Sequence, residues 1–250
     1  MEVSVICVYN DEDALNSELV ESLKNQGCEH ELVLIDNRAG KFTCAADALN
    51  YGAAHAKGNI LIFSHQDIYF KTSNELKRLA DVISEVDIGD IVGTQGVIDK
   101  NYTYYSNLTA GKVFDSNLNN TYHDQKICVS CIDEGLFGMK RETWEKHHFD
   151  SLICNNWHLY AVEVCLHARK NKHKIWVAPI QIHHFSYGSI SLSYMENLKK
   201  LCQRYRADFK YIWTTCYKVK TKSLYINSLV NLWVLNRKMK GIINWNEANI

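Results

Sequence analysis

The sequence predicts an α/β fold: a mixed, mostly parallel sheet flanked by helices. Three observations predict it. Short apolar runs alternate with helical patterns from the first residues onward, each of the first three runs ends in polar side chains, and the helical patterns carry their own start and stop signals. In an open α/β sheet, ligands sit beyond the carboxyl ends of the strands, so the three polar strand ends mark one candidate cleft.

The first strand is Val3-Ser4-Val5-Ile6-Cys7-Val8-Tyr9, ending at Asn10. The acidic turn Asp11-Glu12-Asp13 and leucines at 15, 19 and 23 then predict an amphipathic helix. A second strand, Glu31 to Ile35, ends in Asp36-Asn37. The loop Arg38 to Thr43 leads into an alanine-rich helix that contains Asn50-Tyr51-Gly52 and closes on Gly58. The third strand, Ile60-Leu61-Ile62-Phe63, breaks into Ser64-His65-Gln66-Asp67. Metal-ligating side chains at a strand end point to an active site; a polar loop capping the next helix is the plain alternative.

Further strands are expected over Asp87 to Val97 and Lys126 to Ile132, separated by an irregular Asn101 to Asp124 insert whose Tyr102, Tyr104 and Tyr105 could stack on the rings of a ligand or simply pin the loop. Asp133-Glu134-Gly135 follows the second of these. Trp157 to Arg169 predicts a helix in which Leu159, Val162 and Leu166 form an apolar stripe with Glu163 on the same face. Such a carboxylate either lines a cleft, where partial burial raises its pKa toward that of a general base, or pairs with His167 as a structural group. Lys174 to Ala178 is a strand ended by Pro179, with His183 and His184 beyond it. The tail, apolar from Leu224 to Leu235 between Lys218, Lys220, Lys222 and Arg237, Lys238, Lys240, falls short of the ~20 residues a spanning helix needs. It is expected to pack on the main domain, form a homodimer contact or lie in a membrane surface.

At 250 residues and 46% hydrophobic content the chain can bury a sizeable core but not two separate enzymes. Twenty-eight basic against twenty-eight acidic residues leave no field that would favour nucleic acid. The start has no secretory signal, so a cytoplasmic protein is expected, with nine reduced cysteines. Three glycosylation sequons are then formal only. Cys128 and Cys131 lack the further ligands a structural zinc needs and are expected to be core thiols.

Val-Tyr-Asn at 8–10, Asp36, Asn50-x-Gly52, Ala56-Lys57-Gly58 and the His65-Gln66-Asp67 motif, in this order and spacing, resemble the nucleotide-binding half of family 2 glycosyltransferases of the GT-A fold, over roughly residues 3 to 190. The similarity is to the bacterial capsule and surface-polysaccharide branch, in which His-Gln-Asp stands where most relatives have Asp-x-Asp. The resemblance implies a GT-A domain over 1–200, with a nucleotide-sugar half at 1–97 and an acceptor half at 98–200, and a helical C-terminal extension at 201–250. It implies donor binding by Val8, Tyr9, Asn10, Asp36, Asn37, Asn50, His65, Gln66 and Asp67, with Asp36 accepting from the N3–H of uracil or thymine. It implies a divalent cation, Mn or Mg, on Asp67, His65, His183 or His184. Asp133, Glu134, Trp157 and His158 fall on the acceptor side, and Glu163 stands where the branch carries the acidic residue of Trp-His-x-Tyr-x-x-Asp, a candidate base. The implied activity is inverting transfer from a UDP-sugar to a saccharide or lipid-linked saccharide acceptor, at the inner face of the plasma membrane if the tail touches lipid. His65 and Glu163 in place of Asp also leave open a degenerate sugar-nucleotide-binding subunit.

Overall fold

In a computed structural model, which describes residues 2–98, 103–106, 109–110, 124–185, 190–240 and 242, the chain begins with β1 (Val3–Tyr9). A helical run follows as α1 (Glu12–Ala14), a π-helical stretch Leu15–Val20, and α2 (Glu21–Lys24). Asp11 starts it by accepting from the N–H groups of Asp13 and Ala14. Then come β2 (Glu31–Asp36), α3 (Ala45–His55), β3 (Ile60–Ser64), β4 (Ile68–Phe70) and α4 (Glu75–Glu85). The middle of the chain holds β5 (Ile91–Gly93), β6 (Gln95–Ile98), β7 (Thr103–Ser106), β8 (Thr109–Ala110), β9 (Ile127–Val129), β10 (Cys131–Ile132), β11 (Leu136–Lys140) and α5 (Arg141–Lys146). The last part is α6 (Tyr160–Lys170), β12 (Ile175–Val177), β13 (Ile182–His184), α7 (Leu192–Tyr205), the hairpin β14 (Tyr211–Trp213) and β15 (Lys218–Lys220), and α8 (Ser223–Met239).

The central sheet has seven strands in the order β2-β1-β3-β11-β5-β12-β9. β2, β1, β3, β5 and β12 run one way, and β11 and β9 run against them, so the expected mixed, mostly parallel sheet is present. Alternation within the strands assigns the layers. Val3, Val5 and Cys7 of β1 and Ile60 and Ile62 of β3 pack against Leu15, Leu19, Leu23 and the α4 residues Leu76, Leu79 and Ile83. Ile6, Leu61 and Phe63 face the other way, into a larger core made by α3, α6 and α7. Gly52 lets α3 close on the sheet, because a Cβ there would stand 2.6 Å from Ile6 Cγ2. Arg141 fixes the same helix from behind, its guanidinium donating to the carbonyls of Ala53, Ala56 and Gly58 at the C-terminal end of α3.

Several expectations change. The strand expected over Asp87 to Val97 is two strands, β5 in the central sheet and β6 in a small sheet with β10 and β7. The chain turns between them at Thr94, whose hydroxyl donates to the Leu136 carbonyl. Lys126 to Ile132 likewise divides at Ser130, whose N–H donates to Val97. This division exposes Cys128 and buries Cys131, so only one of that pair is a core thiol. The insert contains β7 and β8, and β8 joins a third sheet, β4-β13-β8. Tyr104 and Tyr105 fall in β7, whereas Tyr102, residues 111–123 and Ser186 to Ser189 lie outside the described residues. The expected boundary at residue 200 falls inside α7, and the tail beyond it is a hairpin and a helix rather than helix alone. No helix among the described residues is long and apolar enough to cross a membrane.

Candidate active site

A cleft of about 410 Å³ opens at the carboxyl ends of β1 and β3, lined by Val8, Tyr9, Asn10, Asn37, Ala45, Leu49, Ser64, His65, Gln66, Asp67, Trp157 and Tyr160. Two of its lining residues, His65 and Asp67, and the adjoining His184 bring one ligand atom each within 4.8 Å of one another. Register explains the trio. β13 pairs antiparallel with β4 so that His184 stands opposite Ile68, next to Asp67, with its Nε2 3.4 Å from Asp67 Oδ1. Alternation along β13 sends His183 the other way, where its ring meets Phe185, so of the two histidines only His184 belongs to the group.

His65 is held by its own N–H on the Gly135 carbonyl, 2.8 Å away across the β3–β11 junction, and by Nε2 3.1 Å from the Tyr160 hydroxyl. Burial and the neighbouring His184 hold its pKa below the ordinary histidine value. Burial also acts to lower His184, but the hydrogen bond and charge of Asp67, with Asp133 behind them, outweigh it and raise that pKa. Two imidazoles and one carboxylate form a nitrogen-and-oxygen donor set that fits manganese or another transition ion better than magnesium, which favours oxygen ligands.

Gln66 faces away from the trio. Its Oε1 accepts from the backbone N–H of Asn10 at 2.9 Å and of Asp11 at 3.1 Å, and its Nε2 donates to Asn10 Oδ1. The middle residue of the motif thus ties the ends of β3 and β1 together. Asn37 lines the cleft while its side chain exchanges two hydrogen bonds with the Phe42 backbone and shapes the following loop. Asp36 is exposed and gripped by Arg38, whose Nε, Nη2 and backbone N–H all reach it; the remaining guanidinium nitrogen bonds Glu12. Arg38, first through its side chain and then its backbone, lowers the Asp36 pKa to about 2.

Residues 4–213 match the sequence model of a family described as "Glycosyltransferase like family". The chain belongs to that glycosyltransferase-like family. No curated protein matches it in sequence. Among solved structures it is similar to GalNAc-T7 with UDP, GalNAc and Mn2+, at 14% identity and a TM-score of 0.58, over 99% of this chain and 58% of that one. It is also similar to S. aureus TarS 1-349 in complex with UDP-GlcNAc, at 14% identity and a TM-score of 0.56, over 86% of this chain and 69% of that one. A longer S. aureus TarS structure matches with a TM-score of 0.55 at 12% identity, over 96% of this chain and 44% of that one. At such identities the likeness shows a shared GT-A fold, and the chain spans less than two thirds of GalNAc-T7.

Of the residues expected on the acceptor side of this glycosyltransferase-like chain, Asp133 is partly exposed, accepting from the Gly135 N–H and from the Thr215 hydroxyl, both at 3.0 Å. Thr215 comes from the β14–β15 turn, so the tail reaches Asp133, which no local pattern in the sequence could reveal. Glu134 points into the protein. Its Oε1 is buried without a hydrogen-bond partner, and burial, then Asp133, raise its pKa well above the carboxylate range against the pull of the N–H groups of Leu159, Tyr160 and Ala161. Leu159 enters α6 at φ 69°, a left-handed conformation that costs a branched residue about 1–3 kcal/mol and gathers at functional sites. The flanking side chains are a 41% exposed Trp157, the part-buried His158 and Tyr160 on His65. Tyr160 was missed as a site residue although it stands in the Trp-His-x-Tyr pattern.

Two expected site residues are elsewhere. Asn50 spends its amide on the Phe149 N–H and carbonyl and on the Trp144 indole, which docks α3 against the α5–α6 connection rather than reaching the cleft. Glu163 is 1% exposed, with Oε1 accepting from the Tyr205 hydroxyl at 2.6 Å and Oε2 3.0 Å from His147 Nε2. Its partner is His147, on which His167 stacks, rather than His167 itself. A carboxyl so enclosed, with one oxygen on Tyr205 and the other on His147, does not meet the requirement that a general base reach the proton it takes.

Proposed function

We propose that this chain is an inverting glycosyltransferase that moves a sugar from a UDP-sugar to a saccharide or lipid-linked saccharide acceptor in surface-polysaccharide synthesis. The observation that carries the reading is the His65–Asp67–His184 group, two of whose members line a cleft built by β1 and β3, in a chain of this family. GalNAc-T7 and TarS, which share the fold, are described with UDP and UDP-GlcNAc respectively.

In this reading Tyr9, Asn10 and Asn37 line the nucleoside end, and Asp36 accepts from the uracil N3–H once Arg38 gives way. Asp67 and His184, with His65 behind them, stand at the diphosphate. A divalent cation bound there supplies positive charge for the leaving group. Asp133 takes the acceptor hydroxyl proton: besides Asp67, which is assigned to the ion, it is a partly exposed carboxylate whose charge His65 and His184 both feel, and Thr215 and Gly135 hold it in place. Glu134 and the strained Leu159 set the start of α6, and so the positions of Trp157, His158 and Tyr160.

Thermal-shift measurement with nucleotide sugars, with and without manganese, followed by product analysis, tests the proposal. UDP-sugars should raise the melting temperature more than GDP-sugars, and manganese should enlarge the effect. Sugar transfer separates the enzyme from a binding-only subunit: donor binding without turnover on any saccharide or lipid-linked acceptor favours the latter.

A further inference from the structure

The helix α8 has two faces of different fate. Ile226, Val230 and Val234 are buried at four-residue spacing on the side packed against α7. At about 100° per residue, Leu224, Leu235, Met239, Leu232 and Tyr225 fall together within roughly 100° of arc on the other side. All five are exposed, Leu224 at 83%, Met239 at 74% and Leu232 at 65%. A folded surface seldom leaves an apolar strip of this length, interrupted within that arc by the exposed Ser228 alone, uncovered without a use for it.

Charge identifies what covers it. Between Asp208 and Glu247 the chain has seven lysines and arginines and no acidic residue, whereas the remainder has twenty-one basic against twenty-eight acidic. A second copy would bring this basic segment against itself. An anionic surface would meet it favourably, apolar face inward and cations at the headgroups. The N-terminal end of the strip adds a further feature: Arg206, Thr221, Lys222, Ser223 and Leu224 line a cavity of about 370 Å³ where α8 begins without a side-chain cap. Two cations, the Ser223 hydroxyl and uncapped helix N–H groups match the oxygens of a phosphate, whereas the Thr221 hydroxyl is turned inward onto the carbonyls of Phe209 and Lys210. Lys220 lies beside it, its ammonium 4.3 Å from the centre of the Tyr225 ring.

We propose that α8 lies in the headgroup region of an anionic lipid membrane, with Leu224, Tyr225, Leu232, Leu235 and Met239 in the acyl boundary and a lipid phosphate at Arg206 and Lys222. The association is peripheral and reversible. It concerns where the protein sits rather than what it catalyses, so it stands apart from the proposed transfer reaction.

Co-sedimentation of the full chain with vesicles of phosphatidylcholine alone, or with added phosphatidylglycerol, tests this. The protein should partition at least ~10-fold more onto the anionic vesicles, with the excess falling as salt rises. Leu232→Glu with Leu235→Glu should abolish partitioning while melting temperature and UDP binding stay unchanged. Lys220→Glu with Lys222→Glu, which leaves the apolar face whole, should lower anionic partitioning ~10-fold or more. Equal partition onto both vesicle types, or none, overturns the proposal. So does a vesicle-free dimer, seen by analytical ultracentrifugation, that Leu232→Glu converts to monomer.

Discussion

Exchanging Glu163 for glutamine or alanine separates a buried structural carboxyl from a catalytic one. Its two contacts are the 2.6 Å bond from Tyr205 and the 3.0 Å approach of His147, in a site 1% exposed. Glutamine keeps the shape and can still accept from Tyr205, so it should cost about 1–3 kcal/mol. Alanine leaves the buried Tyr205 hydroxyl and the part-buried His147 unanswered and should cost about 3–5 kcal/mol, a large part of the ~5–15 kcal/mol that holds a domain together. At roughly 2–4 °C per kcal/mol for a chain near this length, the melting temperature should fall by about 2–12 °C for Glu163→Gln and 6–20 °C for Glu163→Ala. Single-turnover transfer measured below the lowered transition should remain within a few-fold of the wild-type rate. Asp133→Asn should do the opposite, keeping the melting temperature and losing roughly 10²-fold or more in the chemical step. A folded Glu163→Gln protein that binds donor but transfers 10²-fold more slowly, beside an active Asp133→Asn, would refute the reasoning.

Manganese should tighten UDP binding in calorimetry, and Asp67→Ala should remove most of that gain; a variant that still responds to manganese excludes Asp67 from the ion. Asp36→Ala should weaken UDP binding by about 1–3 kcal/mol, whereas Arg38→Ala, by freeing the Asp36 carboxylate, should tighten it; weaker binding in Arg38→Ala would place the arginine on the nucleotide instead. Glu134 has a raised folded-state pKa, so between the ordinary carboxylate pKa and that raised value the folded protein holds a proton that the unfolded chain releases, and the group lowers stability as pH rises. Glu134→Gln should therefore flatten the decline in denaturant stability between about pH 4 and neutrality, and an unchanged slope would contradict the burial of that carboxyl.

The first three strands were legible because their apolar runs end abruptly in polar residues, and the leucines at 15, 19 and 23 are all buried where their spacing put them. The middle strands were not. Whether a chain continues or turns at Gly93-Thr94 depends on Leu136 and Ile132, some forty residues away, and no local pattern records that. His65 and Asp67 could be found from their strand end, but choosing His184 over His183 required the β4–β13 register. Glu163 misled for a different reason: Ala161, Val162, Val164, Cys165, Leu166 and Ala168 are buried too, so α6 has hardly any solvent side, and sharing a face with leucines says nothing about facing a cleft.

The role of Gln66 bears on how the site can adapt. With both ends of its amide spent on the backbone and side chain of residues 10 and 11, the rim formed by β1 and β3 is stapled shut, and the flanking His65 and Asp67 inherit that stiffness. Substrates of different girth cannot be admitted by parting these strands. Accommodation falls to the facing wall, where Trp157 stands half uncovered on a segment set by one left-handed leucine, so selectivity among the proposed sugar substrates should be tuned there without disturbing His65 and Asp67.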